Sequence, residues 1–213
     1  MNIYPYGSTV YGTDNLMSDR DFILVDGSVE RTKKEQDSFA GVDFNFYGGL
    51  DWVKKLHNHD IDALECHFLP KEMKINEPYK YDFYLNLSQL RKSISTSSNH
   101  SWVKAKKKII VENDHHSGLK SLFHSLRILN FGIQIATHGT IKDYSAANDY
   151  MSQIQSAYRA PREGDTWQIL HDKFKPEFNR LSTEFKKLAP KICGYCDNPC
   201  NNPHCVRHKM EDE

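Results

Sequence analysis

With 213 residues, the chain is long enough for one medium domain or two small ones, each with a hydrophobic core. A content of 38% hydrophobic and 26% charged residues is that of a globular chain, and no apolar run approaches the roughly 18 residues needed to cross a bilayer. Lys and Arg balance Asp and Glu at 28 each, but residues 1–84 carry nine bases against fifteen acids and residues 85–131 carry eight against two. Such a pairing suits metal ions held against a polyphosphate, or simply two solvated surfaces of opposite sign. The start, Met1-Asn2-Ile3-Tyr4-Pro5, has no basic region followed by an apolar stretch, so no signal peptide is expected and a cytoplasmic location is the default.

In chain order, residues 1–6 read as a short strand and residues 21–25, Asp-Phe-Ile-Leu-Val, as a second. A polar stretch from Asp26 to Gly41 follows. Val42-Asp43-Phe44-Asn45-Phe46 then alternates as a half-buried strand does. The two runs and their polar connection suggest neighbouring antiparallel strands. A short helix is expected from about Asp51, and a further strand over residues 61–69, closed by Pro70. From Leu85 onward the pattern is helical: residues 85–95 and 101–113 as two helices parted by Ser/Asn-rich residues, then 118–137, 144–158, and Thr166 to about Leu188. His115-His116 reads as a loop pair, residues 159–165 as a linker. The expected fold class is therefore α/β (α+β). A small mixed sheet over residues 1–84 precedes a helical domain over 85–190 and a Cys-rich tail over 191–213.

The chemistry-bearing stretch is Tyr6-Gly7-Ser8-Thr9-Val10-Tyr11-Gly12 followed by Ser18-Asp19-Arg20-Asp21. Asp19 and Asp21, two apart at a strand entrance, project from one face. Asp43 sits on the next strand candidate with its apolar neighbours Val42 and Phe44 turned the other way. Three carboxylates on one surface repel unless cations neutralise them, and Mg²⁺ or Mn²⁺ suits oxygen ligands shared with substrate phosphates. Gly7 permits close backbone approach, and Ser8 offers a hydroxyl and an N–H to a phosphate. An Asp-X-Asp pair alone is common on surfaces, and Gly-Ser is commoner. The joint pattern is rare.

Gly7-Ser8, Asp19-Arg20-Asp21 and Val42-Asp43-Phe44 resemble the signature of DNA polymerase β-like nucleotidyltransferases. More narrowly, Gly-Ser-Thr-Val-Tyr-Gly-Thr-Asp and Ser-Asp-Arg-Asp-Phe look like a group of predicted nucleotidyltransferases with RNA-repair-associated members. Leu64-Glu65 and the run Lys120-Ser121-Leu122-Phe123-His124-Ser125-Leu126-Arg127 match that group as well. The near absence of residues before the first strand and the Cys-rich tail depart from its pattern. The resemblance implies a two-metal enzyme that moves a nucleoside monophosphate from an NTP, such as ATP, to an acceptor hydroxyl. A nucleic-acid end, RNA first, is the favoured acceptor, then a protein hydroxyl, then a small molecule. Asp19, Asp21 and Asp43 would be its catalytic metal ligands.

Lys120, His124 and Arg127 are spaced i, i+4, i+7 along one helix face. That helix is apolar nearly all round, as buried helices are, and buried cations need anionic partners. Nucleotide phosphates or a structural ion pair satisfy that need equally on spacing alone, and the resemblance points to the nucleotide. Lys104-Ala105-Lys106-Lys107-Lys108 beside Trp102 is either a solvated face or a contact for a nucleic-acid backbone. Cys193, Cys196, Cys200 and Cys205, with His204 and His208 near them, can form a tetrahedral Zn²⁺ knuckle. An iron–sulfur cluster or disulfides are the alternatives. A non-catalytic nucleic-acid-binding module, using the basic helices and the tail with a vestigial nucleotide pocket, is the rival to the enzyme.

Overall fold

The computed structural model describes residues 1–14, 18–29, 35–39, 41–159 and 165–191. It divides into two compact units. The first holds Met1–Tyr84 and Thr140–Gln153; the second holds Leu85–Gly139 and the described residues from Ile154 on. The fold is mixed α/β, with a helical C-terminal half.

The first unit is built on four strands: β1 (Asn2–Tyr6), β2 (Arg20–Asp26), β3 (Glu35–Phe39) and β4 (Val42–Gly48), in the order β1-β2-β4-β3. Period-2 alternation gives the sheet an inner face on which Tyr4, Ile23, Val25 and Tyr47 are buried. Trp52 of helix α2 (Gly49–His57) is the lid, stacked 5.8 Å from the Tyr4 ring and tilted 49° against that of Tyr47 at 5.7 Å. The outer edge of β1 is partly occupied. Ile3 bridges to Asn76, and the Asn2 side chain both donates to the Tyr79 carbonyl (2.8 Å) and accepts from the Tyr79 N–H (2.9 Å). A paired edge is a poor template for another chain.

Two expectations for this unit are corrected. β2 and β4 are neighbours but parallel. The polar connection contains β3, which is antiparallel to β4, so the chain reverses twice before β4 begins. Secondly, residues 61–69 are not a strand. Ile61–Phe68 form helix α3, in which Ala63, Leu64, Glu65 and Cys66 are all buried. A short helix buried on most sides shows no amphipathic period and reads like a buried strand.

In the second unit, α4 (Leu87–Ile110), α5 (His115–His138) and α7 (Thr166–Leu188) pack together; α6 (Asn148–Arg159) crosses the boundary between the units. α4 is one helix where two were expected. Its Ser/Asn stretch stays helical under tertiary packing: Ser98 is buried, and Ser98 and Asn99 turn their side-chain hydrogens back to the Ser95 carbonyl, at 3.2 and 2.7 Å. His115 and His116 open α5 rather than forming a loop. Asp114 caps that helix by accepting from the Ser117 N–H at 3.0 Å. Two glycines set the spacing of the helices. A Cβ at Gly118 would stand 2.5 Å from Ile109, and one at Gly132 2.7 Å from Ile94 and 3.0 Å from Phe185. Among the described residues, no helix is long and apolar enough to cross a membrane.

Candidate functional site

The residues singled out in the first unit gather at one end of the sheet. β1 runs toward this end and finishes at Tyr6. β2 and β4, parallel to one another and opposite to β1, begin here. Tyr6 is the register partner of Asp21, and Asp21 that of Asp43. In-register residues on adjacent strands project from the same face, so Asp21 and Asp43 stand side by side, next on that face to the buried Ile23 and the half-buried Asn45. Asp19 lies just before β2, exposed, and its Oδ1 sits 3.9 Å from where a Cβ on Gly41 would be. The Arg20 N–H donates to the Gly41 carbonyl at 2.9 Å, tying the starts of the two strands together.

Gly7 closes this end. Its φ of 79° and ψ of −151° lie in a region open essentially to glycine alone. A Cβ there would stand 2.3 Å from Asp21 Oδ2. Backbone and carboxylate therefore touch at the turn between β1 and the short helix α1 (Ser8–Tyr11). Ser8 is the first residue of α1 and half-buried. The turn is anchored from below. Tyr11, buried, donates its hydroxyl to the Glu65 carboxylate, also buried at 2% exposure. The Tyr144 hydroxyl donates to the Glu65 carbonyl at 2.7 Å, and the Asn148 amide to the Tyr11 carbonyl at 2.7 Å. Glu65 thus holds the floor under α1.

A residue that sequence patterning gave no reason to notice is Ser38. It faces Asp43 across the β3–β4 ladder and donates its hydroxyl to Asp43 Oδ1 at 2.5 Å. β3, Glu-Gln-Asp-Ser-Phe, lacks apolar alternation, so nothing marked it as a strand or Ser38 as a partner of the acid.

The donor set fits a hard divalent cation, being carboxylate oxygen throughout. As the side chains stand, no group of three His, Cys, Asp or Glu among the described residues is arranged to hold a metal ion. Asp43 is turned to Ser38 and Asp21 against Gly7.

In the second unit, Lys120, His124 and Arg127 share one face of α5 with graded burial. Lys120 is exposed, although the apolar helix suggested otherwise; His124 is half-buried and Arg127 buried at 3%. The Arg127 guanidinium lies 5.5 Å from the Phe131 ring centre and 6.0 Å from that of Phe123. Burial, aided by the charges of Arg127, Lys120 and Lys104, holds the His124 imidazole well below the usual histidine range, so it is neutral near pH 7. Trp102 is not available to stack on a base. It is buried against Trp167 and Phe178, with the Lys175 ammonium 4.8 Å from its ring centre. Cys193, Cys196, Cys200, Cys205, His204 and His208 lie outside the described residues, as do residues 160–164 of the expected linker.

No protein-family profile matches the chain, and no curated protein is found to be related to it.

Proposed function

We propose that the chain is a metal-dependent nucleotidyltransferase that transfers a nucleoside monophosphate from an NTP to an acceptor hydroxyl, with a nucleic-acid end, RNA first, as acceptor. The observation that carries this is the side-by-side placement of Asp21 and Asp43 on parallel strands, at the sheet end where Gly7 packs on Asp21. The resemblance of the Gly7-Ser8, Asp19-Arg20-Asp21 and Val42-Asp43-Phe44 motifs supports it.

In this reading Asp19, Asp21 and Asp43 would hold Mg²⁺ or Mn²⁺, which supplies charge neutralisation at the phosphates and at the attacking and leaving oxygens. Gly7 lets the chain approach the phosphates, and Ser8 donates to a phosphate oxygen. Asp43, steadied by Ser38, takes the proton of the acceptor hydroxyl as its oxygen bonds to the α-phosphorus and the bond to pyrophosphate breaks. In the second unit, Lys120, His124 and Arg127 form the phosphate-binding stripe. Zn²⁺ bound by the cysteine tail is a separate part of the proposal.

The test is incubation with each labelled NTP, with Mg²⁺ or Mn²⁺, and with pools of RNA, DNA and protein. Labelled RNA is expected. Labelled protein would make the chain an adenylylating enzyme. No labelled product in any pool, or transfer surviving in an Asp19→Asn/Asp21→Asn variant, would overturn the proposal.

A further inference from the structure

The lysine run of α4 divides once its partners are in view. Lys107 and Lys108 pair with Glu112, at 3.2 and 2.6 Å, and Lys108 also with Asp114 at 3.4 Å. Lys104 and Lys106 have no carboxylate partner among the described residues, and neither has Lys120 on α5. The two helices form an antiparallel pair in close contact. The Ala105 carbonyl is 3.4 Å from where a Cβ on Gly118 would stand and Ile94 is 2.7 Å from one on Gly132, so residue 104 is level with the second turn of α5; Lys104 lies on the flank of α4 opposite Trp102, which packs on α7. From there Lys104 and Lys120 both reach His124 electrostatically, with Arg127 one turn further along.

The His124 Nδ1 atom is shut off from solvent and has no hydrogen-bond partner in the described structure. A buried ring nitrogen without a partner is uncommon and costly. Around it stand three positive side chains. Two of them, Lys104 and Lys120, are exposed and unneutralised. Like charges gathered about a neutral imidazole gain most from an anion placed among them.

We infer that Lys104 of α4 joins Lys120 and His124 of α5 in a binding site for a phosphate oxyanion that spans the two helices. The site deepens the phosphate-binding role proposed for the α5 stripe, and fixes its second wall on α4. Lys104 and Lys120 contact the anion as point charges. His124 supplies a ring nitrogen, and Arg127 adds field from beneath. The anion is a phosphate of an NTP or of a nucleic-acid backbone, which share this chemistry.

Binding of inorganic triphosphate to the full chain, in EDTA so that no divalent cation is present, is the direct measurement. Lys104→Ala and Lys120→Ala should each weaken it about tenfold or more, the usual worth of a charge-assisted contact. Lys106→Ala removes the same charge from the same helix and should change binding less than about twofold. A chain that fails to bind triphosphate and single-stranded oligonucleotide alike would overturn the inference. So would an equal loss in Lys104→Ala and Lys106→Ala, the mark of diffuse attraction. Single-stranded oligonucleotide, titrated in parallel, separates the sources. Lys104→Ala weakening triphosphate alone assigns the site to a free polyphosphate; weakening the oligonucleotide alone assigns it to a backbone phosphate. Because the assay needs neither metal nor turnover, its failure is distinguishable from failure of the transferase proposal.

Discussion

Replacing Gly7 by alanine tests how the carboxylate end of the sheet is put together. Two costs are separable. The first is backbone: φ 79° with ψ −151° costs a non-glycine residue about 1–3 kcal/mol. The second is contact: the new methyl would stand 2.3 Å from Asp21 Oδ2 and 3.1 Å from its Cγ, so the aspartate must swing away. For a unit of about a hundred residues, each kcal/mol lowers the melting temperature by about 4–8 °C. The backbone cost alone predicts a fall of about 4–24 °C, read by calorimetry or circular dichroism. Asp21→Ala in the same chain removes the contact and leaves the backbone cost. The double variant should therefore be more stable than the sum of the singles predicts, by about 0.5–3 kcal/mol. A Gly7→Ala chain melting within about 2 °C of wild type would refute the backbone argument. Single effects that add to within about 0.5 kcal/mol would refute the contact with Asp21.

Ser38→Ala should cut transfer about two- to fivefold at limiting Mg²⁺, because the bond it loses is charge-assisted but exposed. Ser38→Thr should restore the rate, and an unchanged Mg²⁺ dependence in Ser38→Ala would remove Ser38 from any positioning role. Burial holds the imidazoles of His59 and His67 below the usual histidine range, His67 also through the neighbouring Lys74 charge. The unfolded chain then takes up protons that the folded one refuses. Stability is complete above about pH 6.5 and falls as the pH drops from there through the folded values. Denaturant midpoints between pH 8 and 5 should show that slope. His59→Asn, chosen because residue 59 has φ 56°, should flatten it, and an unaltered slope would clear His59 as a cause.

The strands that carry the acids were legible in the sequence because their signals are local. Ile23 to Val25 is a solid apolar run, and Val42 to Phe46 alternates around Asp43. That Asp43 belongs beside Asp21 followed from the pattern; that the strands are parallel did not. Their relative direction depends on β3, whose residues carry strand conformation only because β4 offers them a ladder. α3 was misread because a short helix packed on most sides shows no amphipathic period, and Glu65 is buried in it beneath Tyr11. α4 was read as broken because Ser95 to Asn99 are poor helix formers. Close packing against α5 at Gly118 and Gly132 overrides that preference. Ser38 and Lys104 owe their significance to partners distant in sequence or on another helix, which no local period reveals.

The first unit is written in two pieces, with Leu85–Gly139 between them. During synthesis this imposes an order. At the usual pace of about 5–20 residues per second, the fifty-five intervening residues take about 3–11 s to emerge. A helical hairpin such as α4–α5 forms far faster than that. Throughout the interval the Glu65 and Tyr11 carbonyls lack the Tyr144 and Asn148 donors that later meet them. The nascent sheet unit is therefore sealed only after the residues of the hairpin have been made, and a chain ending before Thr140 would carry a sheet unit without its last donors.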